Sequence, residues 1–427
     1  MTDEHRLTEL DSGVRVVTER MPSVRSVSLG LWIGTGSRDE SEAQAGLSHL
    51  LEHLLFKGSE RYGSQEIDEL FDAMGAELNA GTGKEATSVY ARVIDDHLER
   101  ALDVMGEMVF RPALDDVDSE REVILEEIAM YEDDPQDKVF DVLGEAVFGT
   151  HPLGRAIIGR AEVVAGTPVE EIAAFHRERY RPGNVVVAAA GSLDHDELVA
   201  LVEARVPGRA EAREKAGTGP PLELERRVRF ERKDTEQYHV CLGAPGLARD
   251  DERRYALRVL DTVFGGISSS RLFQEIREKR GLAYSVYSFA GQYAGAGQVG
   301  IYLGTRAENL AAACEVTARE LGRLREAPAT AEELARAKEN LKGRMVLSLE
   351  STSARMNRLG TSVLADLPLL SIEETMARVD AVAVDDLAAL AAELFAPGQL
   401  SVAGIGPEAA VFEAALEPLT PAVAGAA

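Results

Sequence analysis

His49-Leu50-Leu51-Glu52-His53 sets two imidazoles and a carboxylate on one side of a single helix. Successive residues turn about 100° around a helix axis, so His53 lies about 40° from His49 and Glu52 about 60° to the other side. Two histidines four positions apart hold one Zn²⁺ through neutral ring nitrogens, and a glutamate between them is placed to take a proton from water at the metal. The flanks read as a buried helix. Ala45-Gly46-Leu47-Ser48 starts it, Leu50, Leu51, Leu54, Leu55 and Phe56 give it an apolar face, and Gly58-Ser59 ends it. A lone histidine on such a helix is usually a satisfied core or surface residue. A buried pair beside a buried glutamate needs a partner, and a metal supplies one.

A catalytic zinc takes three protein ligands and keeps a fourth position open. The acidic segment Asp118 to Met130, containing Glu120-Arg121-Glu122-Val123-Ile124-Leu125-Glu126-Glu127-Ile128, is the best source of the third. Val123, Ile124 and Ile128 are expected to mark its buried side. Glu120 and Glu127, seven positions apart, share a face, while Glu122 and Glu126 are placed less well. Most carboxylates on such helices are simply solvated.

The chain has 427 residues, more than one compact core usually holds, and 45% hydrophobic with 28% charged residues fits a soluble globular protein. No stretch approaches the ~20 apolar residues of a membrane span, and Met1-Thr2-Asp3-Glu4-His5-Arg6 lacks the basic and apolar regions of a signal peptide. Cys241 and Cys314 are the only cysteines, which excludes a disulfide framework and leads us to expect a cytoplasmic protein. A formal charge of −27 argues against nucleic-acid binding, because phosphate contacts want clustered Lys and Arg. Such acidity ordinarily means a self-repelling surface. A sharper reading is a taste for basic peptides, to which Asp115-Asp116-Val117-Asp118 and Glu132-Asp133-Asp134 would contribute.

Residues 206–223, including Gly217-Thr218-Gly219-Pro220-Pro221, read as a linker at mid-chain. The two sides share a pattern. Val27 to Gly34 alternates like a strand ahead of a charged loop and the motif helix, and Gln237 to Gly243 does the same ahead of Arg249-Asp250-Asp251-Glu252 and another helix. Farther on, a strand at Thr87 to Val93 precedes a helix at His97 to Phe110, as Gln298 to Leu303 precedes Ala307 to Leu324. The expected fold is α+β: two homologous mixed α/β domains, antiparallel-rich sheets with covering helices, related by internal duplication. Their expected bounds are 1–205 and 224–415, with a frayed tail at 416–427. Aligning Phe56-Lys57-Gly58 with Phe264-Gly265-Gly266 gives an offset of 208 residues, which sets His49, Glu52 and His53 against Leu257, Leu260 and Asp261. Any metal chemistry therefore belongs to the first domain.

Further stretches carry a resemblance: Leu78-Asn79-Ala80 with Thr82 and Glu85-Ala86-Thr87, Glu120 to Ile128, His151-Pro152-Leu153-Gly154, Arg179 to Asn184, Ser270-Arg271-Leu272-Phe273 and Arg277 to Tyr284. Together with His-x-x-Glu-His, the inverzincin order, they resemble the pitrilysin and insulin-degrading-enzyme family, in its branch similar to mitochondrial processing peptidases. The resemblance implies zinc-dependent hydrolysis of peptides or unfolded segments in an enclosed chamber, with one Zn²⁺ per chain. It implies Glu127 as third ligand beside His49 and His53, Glu120 as a residue orienting a ligand, and Glu52 as general base. The gap of 73 residues between His53 and Glu127 is slightly short for the family, which keeps Glu126 as a lesser alternative. The resemblance also implies that Arg277 and Tyr284 bind substrate and stabilise the oxyanion in trans, in a homodimer. Leu78 to Val89 would form an edge strand that pairs with peptide, with Asn79 and Ala80 beside the scissile bond. The alternative within the same fold is a non-catalytic assembly subunit or a peptide-binding protein without turnover.

Overall fold

A computed structural model describes residues 5–206, 222, 225–396 and 398–419. The expected linker lies outside the described residues except for Val206 and Leu222. Two compact units are present, each built on one sheet. In the first, β1 (His5–Glu9), β2 (Arg15–Arg20), β3 (Ser26–Ile33), β4 (Glu77–Thr82), β5 (Thr87–Ile94) and β6 (Val185–Gly191) are ordered β1-β2-β6-β3-β5-β4. Only the β2–β6 pair is parallel. In the second, β7 (Val228–Arg232), β8 (Tyr238–Pro245), β9 (Ser285–Tyr293), β10 (Ala296–Thr305) and β11 (Ser401–Gly406) are ordered β7-β11-β8-β10-β9, with β7–β11 the parallel pair. Without β1 the first order matches the second, strand for strand and sense for sense. Glu77 and Ser285 begin equivalent edge strands 208 residues apart, the offset read from the sequence. The duplication is therefore structural as well as sequential.

The inner strands are buried on both faces, and the two-residue period sorts their side chains. Val27, Leu29, Leu31 and Ile33 of β3, with Val185, Val187 and Ala189 of β6, enter one core with the helices α1 (Leu47–Leu55), α2 (Ser64–Ala73), α3 (Leu98–Phe110) and α4 (Val117–Asp133). Trp32, Val186, Ala188 and Ala190 face the other way, against Met356, Leu359 and Val363 of the Thr352–Leu364 helix. That helix comes from the far half of the sequence. Polar bonds reinforce it: Ser28 Oγ lies 2.8 Å from Thr352 Oγ1, and the buried Glu19 carboxylate pairs with Arg355 and, at 2.8 Å, with Arg358.

The second sheet mirrors this arrangement. Val139, Val142, Leu143, Val147 and Phe148 of α5 (Pro135–Phe148) pack with Cys241, Tyr302, Ala403 and Ile405. The units therefore depart from the contiguous domains expected at 1–205 and 224–415: Val346–Ile372 belongs with the first and Ala129–Arg155 with the second. A sheet apolar on both faces needs two covers, and here the second cover is drawn from the other half of the chain. The tail also departs from expectation in part. Glu417–Leu419 forms a 3₁₀ turn with Leu419 fully buried, so 416–419 is not frayed; 420–427 lies outside the described residues.

Candidate metal centre

The motif helix α1 is held at its start by a residue eight positions before Ser48. Gly46, at the N-cap, has φ +108°, and a Cβ there would also meet Gly159 Cα at 3.1 Å. The buried Glu40 carboxylate accepts the N–H groups of Gly46 at 2.9 Å and Ser48 at 2.7 Å, satisfying two donors that the helix cannot pair internally. Leu47, Leu50, Leu51, Leu54 and Leu55 are fully buried. The remaining sector of the helix carries His49, Glu52 and His53, all half-buried.

Helix α4 brings the carboxylates. Its buried stripe is Val117, Glu120, Ile124 and Ile128, while Val123 is 49% exposed. The expectation for Val123 is thus corrected. At about 100° per residue it falls some 60° to one side of Glu120, whereas Ile124 and Ile128 fall on the opposite, inward side. Glu120 itself is only 3% exposed, a carboxylate in the apolar stripe. Glu122 and Glu126 point to solvent.

His49 Nε2 lies 3.7 Å and His53 Nε2 3.5 Å from Glu127 Oε2, and the donor atoms of these three residues are all within 4.8 Å of one another. Two donors bonded to one tetrahedral zinc at ~2.0–2.1 Å stand about 3.3 Å apart, so the two distances from Glu127 to the histidines are near those of a ligand set. Two imidazoles and one carboxylate are the donors of a catalytic rather than a closed structural site. Burial, with His53 acting in the same direction and Glu127 and Glu52 opposing, lowers the His49 pKa. That direction favours the neutral ring, the form that ligates a metal.

Behind the donors the two histidines differ. His53 Nδ1 lies 3.3 Å from Glu120 Oε2, and the other Glu120 oxygen accepts from Lys57 Nζ at 2.7 Å. His49 Nδ1 is buried without a hydrogen-bond partner among the described residues. Neither Glu40 nor Lys57 is singled out by the sequence. A glutamate in a loop ahead of a helix and a lysine just past its end carry no periodic signal.

The expected peptide-binding strand divides in two. Asn79 and Ala80 lie on β4 at the sheet edge, whereas Thr87 to Val89 belong to β5, an inner strand. Asn79 Oδ1 accepts the Ala80 N–H at 2.8 Å, and Thr82 Oγ1 donates to Ser48 O at 3.4 Å, tying the edge strand to α1. Arg277 and Tyr284 come together in the second unit. The guanidinium lies 4.2 Å over the Tyr284 ring and donates to the Tyr284 carbonyl at 2.9 Å, and Tyr284 as a residue is 78% exposed. In the same unit the counterparts of His49, Glu52 and His53 are closed by packing. Leu257 and Leu260 are buried, and the Asp261 carboxylate, its pKa raised by burial, accepts from Ser288 Oγ at 2.5 Å.

Comparison with known proteins yields two family descriptions: insulinase (peptidase family M16) over residues 15–161, and peptidase M16 inactive domain over residues 168–341. A Streptomyces coelicolor protein named as an uncharacterized zinc protease is 43% identical over 412 residues, covering 94% of this chain and 89% of its own. Similarly named proteins are 45% identical over 396 residues in Mycobacterium tuberculosis (91% and 90% covered) and 42% over 389 in Bacillus subtilis (90% and 94%). Among solved structures, a Helicobacter pylori protease superposes with TM-score 0.88 at 23% identity, covering 95% of this chain and 99% of its own. A Pseudomonas fluorescens peptidase M16 inactive domain does so with TM-score 0.87 at 25% identity, covering 95% and 98%.

Proposed function

The chain belongs to the insulinase (M16) family of peptidases, and from that premise we propose that it is a zinc-dependent endopeptidase acting on peptides and unfolded polypeptide segments. The observation that carries this reading is the convergence of His49, His53 and Glu127 beside Glu52, with all four in one unit. When bound, zinc supplies the Lewis acid that acidifies water and polarises the scissile carbonyl. His49, His53 and Glu127 hold it. Glu52 accepts the proton of the attacking water and passes it to the leaving amine. The substrate backbone adds to the open edge of β4, exchanging the Asn79–Ala80 bond for bonds of its own.

The Tyr284 hydroxyl, on a ring steadied by Arg277, donates to the oxygen on which charge develops. We place that pair in trans, on a second copy of the chain, so that two copies close a chamber around the substrate. The outward-facing Tyr284 ring supports this arrangement. Two buried, unpaired cysteines support a reducing compartment, the cytoplasm. Among the described residues no helix is long and apolar enough to cross a membrane.

The test is Glu52→Gln measured beside His49→Ala on a quenched unstructured peptide. The first should keep zinc and lose about 10²–10⁴ in rate, the usual share of a general base. The second should lose the metal. An active Glu52→Gln protein would sink the mechanism, and a parent that binds zinc but cleaves no peptide would leave a binding protein. Mixing copies lacking His49 with copies altered at Arg277 and Tyr284 should restore cleavage at one site per pair; no recovery would argue against sharing in trans.

A further inference from the structure

We propose that Lys57 is a positioning residue for the metal centre, acting through Glu120 on the ring of His53. The inference rests on the zinc reading above and goes beyond the ligand set. Lys57 stands in the turn that ends α1, its backbone N–H donating to Leu54 O at 3.1 Å. From there its ammonium reaches Glu120 Oε1 at 2.7 Å. The Glu120 carboxylate is thus gripped at both ends, by Lys57 on one oxygen and by His53 Nδ1, 3.3 Å away, on the other. Those two contacts fix its rotation, and its rotation fixes the plane of the His53 ring. That plane sets the direction of Nε2, the atom turned toward Glu127.

Two features make this brace consequential. Glu120 lies in the buried stripe of α4, where an anion without a matched cation would be costly to keep. Lys57 is the cation in contact with it. His49 has no comparable support, since its Nδ1 is buried and unpartnered among the described residues. Of the two rings, that of His53 is the one held from behind. Groups that orient a metal-bound imidazole typically contribute 10–100-fold to metal affinity. Lys57 acts one step farther out, so about tenfold is expected.

The experiment measures zinc dissociation constants by chelator competition for the parent, Lys57→Met, Lys57→Arg, Glu120→Gln and the Lys57→Met/Glu120→Gln pair, with apo-protein melting recorded alongside. Lys57→Met should bind zinc about tenfold more weakly, Lys57→Arg should recover most of the loss, and Lys57→Met should add little once Glu120 is already Gln. The Co²⁺-loaded Lys57→Met protein should show an altered visible absorption band, as a turned ligand requires. Should Lys57→Met fail to fold, Lys57→Gln takes its place in every comparison. Zinc affinity in the substituted protein within twofold of the parent overturns the inference alone. So does an equal further loss in the Glu120→Gln background. A parent that binds no zinc overturns the site reading, and this inference with it.

Discussion

Glu126 and Glu127 are neighbours in sequence yet stand about 100° apart around α4, and that rotation decides which can serve a metal. Glu127 Oε2 lies within 3.7 Å of both imidazoles, while Glu126 is exposed. Glu127→Gln should therefore weaken zinc binding by more than about a hundredfold, above the range for groups that only support a ligand. Glu126→Gln should leave it unchanged within twofold. Chelator competition on the two variants decides the matter; equal losses would return Glu126 to candidacy. At this scale the sequence was informative about residue type and spacing. Two histidines and an intervening glutamate are legible because a helix has a fixed period. Lys57 and Glu40 are not, because their importance comes from partners that the period does not reach: Glu120, 63 positions away, and the N–H groups opening α1.

Helix α1 is short, at nine residues, and an isolated helix of that length is unstable in water. Its five buried leucine side chains (Leu47, Leu50, Leu51, Leu54 and Leu55) and its Glu40 cap supply what propensity does not. Glu40→Ala removes a buried carboxylate from two backbone donors and should cost about 1–3 kcal/mol, measured by urea unfolding of the metal-free protein. The same variant should release zinc faster, because the cap anchors the turn that carries His49. A loss under ~0.5 kcal/mol would mean that the leucines alone hold the helix. Helix α4 shows the limit of reading an apolar stripe from sequence. Val123 and Ile124 look equally suited to a core, and Glu120 looks like a surface residue. Yet Glu120 is buried and Val123 is not, because the stripe is defined by the surface it meets.

Across the molecule, each sheet borrows a helix from the other half of the sequence. The Thr352–Leu364 helix approaches the first sheet closely enough that Gly360 rests on the Trp32 ring. A Cβ at Gly360 would lie 2.5 Å from Trp32 Cδ2, and one at Gly30 would lie 2.3 Å from Trp32 Cζ3. The indole is thus enclosed between two glycines. Gly360→Val should force the ring or the helix aside and destabilise the protein by about 1–3 kcal/mol. Trp32 is the only tryptophan, so its emission should shift to the red as the cover loosens. Unchanged emission and unchanged stability would mean that the helix packs there loosely.

By itself the sequence determined the two-fold repeat, the strand and helix periods, the His-x-x-Glu-His run on one helix and its absence from the second half. Each of these is written in local spacing, which backbone geometry converts directly into a face or a stripe. The tertiary structure alone decided what caps α1 and which sheet each exchanged helix covers. Periodicity states that an element has an apolar side; it does not state what that side will touch. That choice belongs to the whole chain, because one surface is satisfied only when another, often hundreds of residues away, is satisfied with it.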